Sequence, residues 1–412
     1  MKFSNSPQDV VVTGAGICCN MGDDSSEIRN HVRYAKQAPF EVWQPAVEYG
    51  ARCNVAGVYH GDVSDAALGI TKKEARFMGP PSRRALRAAQ IALAESKIET
   101  RNLAVIVGSG TGDVGTHCEI HDKLMATRKA TKISPTSVPR LMSSTVSANL
   151  SSILKSVGPS FTATAACAGG AYNLLLAAQM IQSGHTRAAI AGGTETLDMH
   201  FYAGFDAMRA FNSSDNDNPN RASRPYAADR KGFILGEGTG ILVLERRDDA
   251  EARGAKIHGV IRGFGMSSDG TGSMVAPTAE GAYAAMSQAL STTGCSPDDI
   301  DYINTHGTST PLGDVTEVRA IRKLFGDRHV TYSSTKGYTG HSVSGAGAIE
   351  AIFTLWMLNE GWIAPVIRAT PLDSELEDYP PLLEPTDRKI SLALSNSLGF
   401  GGTNVSLLLG AN

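Results

Sequence analysis

Short runs of apolar, β-branched residues alternate along this chain with longer stretches whose apolar positions recur at helical spacing. Val10–Thr13 (VVVT) predicts a buried strand ending at the G-A-G turn, and Leu103–Val107 a second strand ending in G-S-G-T-G. Ser82–Ser96 sets Ala and Leu at helical spacing with Arg83, Arg84 and Arg87 on the other face, which predicts an amphipathic helix. Helices are expected over Thr145–Ser156 and Ala168–Ser183, and strands over Phe161–Thr164, Ala188–Ala191 and Gly240–Glu245. The pattern then starts again. Strands are expected at His258–Gly263, Tyr302–Thr305 and Thr331–Thr335, with helices at Glu280–Thr292, Thr316–Phe325 and Val343–Leu358. Strands Leu392–Asn396 and Val405–Leu409 finish the chain. This is α/β alternation with layered sheets.

The second half is a shorter replay of the first, with strand, Gly-rich loop and helix in repeated order. The boundary is expected in the polar A-R-G-A-K stretch, giving halves of 1–253 and 254–412 within one duplicated unit. Asn212–Arg224 reads as a polar surface loop. With 412 residues, 42% hydrophobic content and a formal net charge of −3, the chain is long enough for two packed layers and gives no support for nucleic-acid binding. It contains no 18-residue apolar run, so no membrane span is expected, and Met1–Asp9 lacks the pattern of a secretory signal. The six cysteines (Cys18, Cys19, Cys53, Cys118, Cys167 and Cys295) are scattered without a C-x-x-C pair. Neither a zinc site nor a disulfide framework is suggested, and a reducing cytoplasm is the expected setting.

One of those cysteines has unusual surroundings. Cys167 stands in T-A-A-C-A-G-G-A-Y, where small residues allow a tight strand-to-helix turn before an apolar helix. At a helix N-terminus a thiol feels the positive dipole end, which lowers its pKa, and free backbone N–H groups stand ready for an oxyanion. A packed core cysteine fits the same local pattern. His306 ends a strand and opens T-H-G-T-S-T-P-L-G-D, where the hydroxyls of Thr308, Ser309 and Thr310 suit a polar ligand; a structural histidine fits equally. Lys336 and His341 share S-S-T-K-G-Y-T-G-H-S-V-S-G-A-G, between a strand and an apolar helix. A lysine wedged there is expected to be ordered and paired, with Glu317 as its partner. In S-N-S-L-G-F-G-G-T-N the glycines around Phe400 free the backbone either for a second oxyanion N–H or for a tight hairpin turn. The glycine clusters at 13–22 and 108–115 imitate phosphate loops but match neither G-x-x-x-x-G-K-[ST] nor the full dinucleotide register, so no such cofactor is expected.

With these segments present together and in order, the chain resembles the β-ketoacyl-[acyl-carrier-protein] synthases, the decarboxylating condensing enzymes of the thiolase superfamily. The resemblance runs from V-V-V-T-G-A-G to G-F-G-G-T-N-V-S-L-L-L, nearly the whole chain. F-D-A-M, A-S-R-P-Y-A-A-D-R-K-G-F and M-V-A-P-T-A-E-G-A look more like the type I synthase of dissociated bacterial fatty-acid synthesis than type II. It implies a five-layer α-β-α-β-α fold, usually dimeric, and no organic cofactor. It also implies roles: Cys167 as the acylated nucleophile, His306 and His341 for malonyl decarboxylation and enolate stabilisation, and Lys336 held by Glu317. The N–H groups of Cys167 and Phe400 would form the oxyanion hole, Thr308 and Thr310 would hold the pantetheine arm, and Phe205 and Phe233 would line or gate the acyl pocket. Asn304, Glu350, Ser395 and Asn396 match positions where members sometimes hold a structural monovalent cation.

The implied reaction condenses acyl- and malonyl-loaded acyl carrier protein into a 3-oxoacyl thioester in fatty-acid elongation. The alternative is a specialised polyketide or aryl-polyene ketosynthase, working in a heterodimer with a chain-length partner. Thr111 matches a position that sets pocket depth across a dimer interface, and threonine there is intermediate between the small and bulky members. The chain lacks a cysteine after Cys295, unlike biosynthetic thiolases, and carries His341 where chain-initiating synthases have Asn. The intact triple argues against a silent binding subunit, and a Cys–His hydrolase would leave the second histidine and Lys336 unexplained. Acidic carrier proteins imply a basic docking patch, with Lys72, Lys73 and Arg76 or Arg128, Lys129 and Lys132 as candidates.

Overall fold

Val10–Cys19 is buried at every position and forms a single ten-residue strand, β1. It does not stop at the G-A-G segment, as expected from the glycines. It runs straight through, because helix α1 (Pro80–Ser96) lies directly on it: a Cβ on Gly14 would strike the carbonyl of Ala92, and one on Gly16 the carbonyl of Ala88. The glycines serve close approach of two backbones, not a turn.

The computed structural model describes residues 6, 8–37 and 39–412, so most of the Met1–Asp9 segment lies outside the described residues. Among the described residues nine further strands join β1 in one hydrogen-bonded sheet: β2 (Ala104–Ser109), β3 (Ser160–Phe161), β4 (Ala188–Glu195), β5 (Gly238–Arg246), β6 (Gly259–Ser268), β7 (Tyr302–Asn304), β8 (Thr331–Ser333), β9 (Leu392–Gly399) and β10 (Thr403–Gly410). Their lateral order is β8-β7-β9-β10-β6-β1-β5-β4-β2-β3. The first five strands are ordered β1-β5-β4-β2-β3 and the second five β6-β10-β9-β7-β8, the same permutation. The senses repeat as well: the first two pairings of each set are antiparallel and the last two parallel. The sets meet where β1 pairs antiparallel with β6 over Val10–Val12.

Two helices occupy the middle: α2 (Gly169–Gln182) and, after α3 (Ala279–Ser291) and α4 (Pro311–Phe325), α5 (Ala346–Glu360). α2 and α5 pack on each other and on strands of both sets, α1 covers β1 and β5 from outside, and α3 covers β6 and β10 with α4 against it. The layers are therefore α-β-α-β-α, the duplicated α/β architecture that the resemblance implied. In α5 the residues from Ala346 to Leu358 are all buried, as a helix sandwiched between sheets requires.

Both central helices start the same way. A 3₁₀ turn precedes each, Ala166–Ala168 before α2 and Val343–Gly345 before α5, and the first residue of each turn is left-handed (φ 45° at Ala166, 42° at Val343). The strand expected over Phe161–Thr164 shrinks to Ser160–Phe161 for this reason. Thr162 turns its hydroxyl to the carbonyl of Val107 (2.7 Å), and the Ala163 N–H donates to Asn173 Oδ1 (3.0 Å), so the chain leaves the ladder early to form the elbow. The Asn212–Arg224 loop is less superficial than its composition suggests. Asn212 and Ser223 are buried, and Arg224 bridges Asp215 and Asp229.

The contact between β1 and α1 makes a test. Gly16→Ala forces a methyl group into the Ala88 carbonyl and should destabilise the chain by about 1–3 kcal/mol, read as a lower chemical-denaturation midpoint, while Gly204→Ala, in open space on a helix, should cost less.

Candidate active site

The two elbows bring distant residues to one cavity of about 240 Å3. Cys167, His306 and His341 line it together with Thr308, Thr310, Glu317, Phe205, Phe233 and Phe400. It is also lined by exposed apolar side chains, Met274, Val275 and Leu312, which stand in segments quoted above without a role at the site.

Cys167 is 4% exposed and sits two residues before α2. The helix-start position was expected to lower its thiol pKa. Instead burial pushes the thiol up to about 11, against the pull of the Phe400 N–H, the Lys336 charge and its own backbone N–H. Desolvation of the thiolate outweighs the stabilising groups, so the resting nucleophile is a thiol. The Phe400 N–H reaches the sulfur because Phe400, Gly401 and Gly402 form the hairpin turn between β9 and β10, with Gly399 paired to Thr403. Gly401 and Gly402 are left-handed (φ 81° and 76°), which the glycines permit. The turn is tied to a neighbouring loop: the Asp269 N–H donates to Gly402 O (3.0 Å) and the Gly401 N–H to Met274 O (2.8 Å). Both readings of the Phe400 segment, hairpin and N–H donor toward Cys167, hold at once.

His306 and His341 face each other edge to face, with ring centroids 5.1 Å apart. Burial and the Lys336 charge hold both imidazoles well below the usual range, so both are neutral at pH 7. Lys336 Nζ lies 3.4 Å from His306 Nδ1. An ammonium only donates, so Nδ1 accepts and the His306 proton sits on Nε2, ready to donate. Phe233 packs on the His341 ring at 5.3 Å and on Phe205 at 5.3 Å, and Phe205 lies 6.1 Å from Phe400. Thr308 and Thr310 bring their hydroxyls 3.0 Å apart. Their loop is fixed by Asp314, which accepts the N–H groups of Tyr226 (2.9 Å) and Ser309 (3.0 Å) and pairs with Arg230 at 3.0 Å. Burial pushes Asp314 up to about 6 against these partners.

One expected pairing needs correction. Lys336 does not pair with Glu317. Its Nζ forms a buried ion pair with Glu350 Oε1, on α5. Glu317 faces the other way: it accepts the N–H groups of His306 and Gly307, both at 2.9 Å, and the Asn396 side-chain N–H at 3.0 Å. Three donors already satisfy that carboxylate, whereas Glu350 is the single charge in the buried Ala346–Leu358 stretch of its helix and, among the described residues, pairs with no other cation. Burial pushes Glu350 up to about 7, opposed by Lys336. The Thr111 hydroxyl donates to Glu195 Oε1 (2.9 Å). Asn304 donates to the Glu350 carbonyl (3.4 Å) and to Thr354 Oγ1 (3.3 Å), and Asn396 accepts from Ser406 Oγ (2.8 Å). Among the described residues, Glu350 Oε2 and Ser395 Oγ are buried without hydrogen-bond partners.

A buried thiol opposite two neutral imidazoles, in a cavity with apolar lining on a duplicated five-layer fold, is the site of a thiolase-like acyltransferase. Comparison with known proteins gives the family. The Beta-ketoacyl synthase N-terminal domain model matches residues 7–250 and the C-terminal domain model residues 258–370. The 3-oxoacyl-[acyl-carrier-protein] synthase 1 of Haemophilus influenzae is 38% identical over 404 residues, which cover 97% of this chain and 98% of its own. A β-ketoacyl synthase crystal structure from Burkholderia phymatum superposes with a TM-score of 0.91 at 32% identity, covering 98% of this chain and 99% of that one. The ishigamide ketosynthase/chain length factor aligns with a TM-score of 0.89 at 27% identity over 98% of this chain and 99% of that one. The chain belongs to the β-ketoacyl synthase family.

The ion pair can be tested directly. Glu350→Ala leaves the Lys336 ammonium buried without a counter-ion and should cost about 3–5 kcal/mol of folding free energy, measured by denaturant titration.

Proposed function

We propose that this chain condenses an acyl group, carried on Cys167, with malonyl-acyl carrier protein to give 3-oxoacyl-acyl carrier protein and CO2 in fatty-acid elongation. The observation that carries this is the meeting of the Cys167 thiol with two neutral imidazoles in one buried cavity. In the first step the sulfur attacks the acyl thioester, and the thiol proton leaves with the departing carrier thiolate. The N–H groups of Cys167 and Phe400 hold the tetrahedral oxyanion. In the second, malonyl thioester loses CO2, and His306 and His341 donate to the enolate oxygen that forms. The enolate carbon attacks the acyl-cysteine and expels the Cys167 thiolate, which takes up a proton. Lys336 keeps His306 neutral and correctly protonated, and Glu317 holds the His306 backbone. Thr308 and Thr310 receive the pantetheine arm at the mouth, and Phe205 and Phe233 close the acyl side against water.

A monovalent cation fits the neighbourhood in part. The orphaned Glu350 Oε2 and Ser395 Oγ would hold it, and it would offset the excess carboxylate charge near Lys336, while Asn304 and Asn396 spend their amides elsewhere. The halves 1–253 and 254–412 act as one unit, the first supplying the nucleophile and the second the histidines and lysine. The partners are acyl carrier protein and a second copy of this chain. Lys72, Lys73, Arg76, Arg128, Lys129 and Lys132 are all exposed, which suits an acidic carrier protein. A cytoplasmic setting suits the six free cysteines. The second reading, a polyketide or polyene ketosynthase working with a chain-length partner, draws on the likeness to the ishigamide assembly.

Incubation with malonyl-carrier protein and a panel of acyl-carrier proteins, read by intact mass, tests the proposal. Broad saturated primers should load Cys167 and yield 3-oxoacyl product, and Cys167→Ala should abolish both. Condensation restricted to unusual primers, or only with an added partner, favours the second reading, and absence of Cys167 acylation from any primer overturns both. A pH profile of malonyl decarboxylation gives an independent check. Because both histidines are held below their usual range, the neutral donors persist as pH falls, and the acid limb should lie below about 6.5. A limb at or above that value contradicts the assigned protonation.

A further inference from the structure

Glu195 is a buried carboxylate that this reaction does not use. It ends β4 at 1% exposure, and its partners are all uncharged donors. Oε1 accepts the hydroxyls of Ser109 (2.8 Å) and Thr111 (2.9 Å); Oε2 accepts the N–H groups of Gly110 (2.9 Å) and Ser344 (3.4 Å). Ser109 Oγ in turn accepts the N–H groups of Thr111 (3.3 Å) and Gly112 (3.0 Å), which commits its own proton to Glu195. The carboxylate thus faces donors only, and these favour the anion against burial, which pushes its pKa up. Burying such a charge without a cation is costly, so its position needs a physical reason.

The reason is that α2 and α5 begin at the same point. A Cβ on Gly169 would come within 2.6 Å of Ser344 Oγ, and one on Gly170 within 2.5 Å of the Ser344 carbonyl. Each helix start presents unpaired N–H groups and a partial positive charge, and two such ends in contact reinforce one another. Glu195 meets the start of α5 through the Ser344 N–H, and Ser344 lies against Gly169 and Gly170 of α2, two and three residues after Cys167. Cys167 shares the cavity with His341 from the loop after β8, His306 from the loop after β7, Glu317 from α4 and Asp269 from the loop after β6, while the Lys336–Glu350 pair lies against His306. The Glu195 charge also reaches the thiol.

We propose that Glu195 is a positioning residue that offsets the paired helix starts and so keeps Cys167 a thiol until an acyl thioester arrives. This rests on Cys167 being the acyl acceptor. Burial is the larger cause that keeps a cysteine at a helix start from becoming a standing thiolate, and the Glu195 charge adds to it. A thiol is also far less open to oxidation than a thiolate, which suits an enzyme that waits for a carrier-bound substrate.

The test uses the full chain and iodoacetamide, with carbamidomethylation of Cys167 followed against pH by peptide mass spectrometry. Glu195→Gln should lower the midpoint by about one pH unit, which raises the thiolate fraction at neutral pH about tenfold. Glu195→Asp keeps the charge and should keep the midpoint near that of the unmodified chain. A folded Glu195→Gln chain with an unshifted midpoint overturns the proposal. Should that variant fail to fold, the Ser109→Ala/Thr111→Val double variant strips Oε1 of its donors and pushes Glu195 toward its neutral form; its midpoint must also fall, and an unchanged one overturns the proposal. Alkylation does not depend on acyl transfer. If carrier substrates never load Cys167 yet the midpoint shifts, the proposed reaction fails and the role of Glu195 stands.

Discussion

The contact on which this molecule depends is the meeting of the first turns of α2 and α5. It is a contact of backbone on backbone. Gly169, Gly170 and Gly193 press against Ser344, and Gly347 against Ala171, at distances where no Cβ fits. Because those turns touch, the residues just before them are forced to one place: Cys167 from the first half, and His341 from the second. The left-handed residues Ala166 and Val343 are part of the same constraint, since each strand must bend sharply to start a helix at that point. Cavity, nucleophile and donors follow from a packing rule between two helices before any chemistry is considered.

Burial then sets the electrostatics. The same low-polarity surroundings push the Cys167 thiol up and the two imidazoles down, leaving all three uncharged at rest. That is an unusual nucleophile, and it changes where activation must come from. A thiol that is not ionised in advance must lose its proton as the acyl group arrives, and the oxyanion donors must lower the barrier to that event. The Lys336–Glu350 pair adds little to stability, since two desolvated charges rarely do better than apolar packing. Its value lies in orientation: the ammonium fixes which nitrogen of His306 carries the proton, and neutral imidazoles donating toward an oxygen are what an enolate requires.

Much of this was legible in the chain because periodicity records burial. The alternation of apolar runs and amphipathic stretches located nearly all the strands and the central helices, and small residues around Cys167 with histidines at two strand ends located the site. The failures share a cause, which is that local spelling does not record what packs across from a residue. Glycines at 14 and 16 spell a turn, yet they mark where α1 rests on β1. Glu317 is the nearer acid to Lys336 in the linear motif, yet its carboxylate is taken up by the backbone of His306 and Gly307. Glu350 did carry a signal, a lone charge in the apolar run from Ala346 to Leu358, and that signal means a buried partner. Glu195 carried none. It closes an ordinary strand, and its donors come from the loop after β2 and from the start of α5.

The duplication explains why one centre, not two, results. Both halves run strand, elbow, helix, and Ser344 holds before α5 the place that Cys167 holds before α2. The difference lies in the connection ahead of the elbow. In the first half only residues 162–165 separate β3 from the 3₁₀ turn; in the second, residues 334–342 separate β8 from its turn. The longer connection has room for Lys336 and His341, and the turn that follows delivers them to the Cys167 side of the helix contact. The first half has no such excursion to offer in return. Ser344 meets a carboxylate in place of a cavity, and with an anion at its backbone N–H it has no oxyanion site to use. The symmetry of the fold supplies two equivalent helix starts; the unequal loops make one of them reactive and leave the other to hold Glu195 in position.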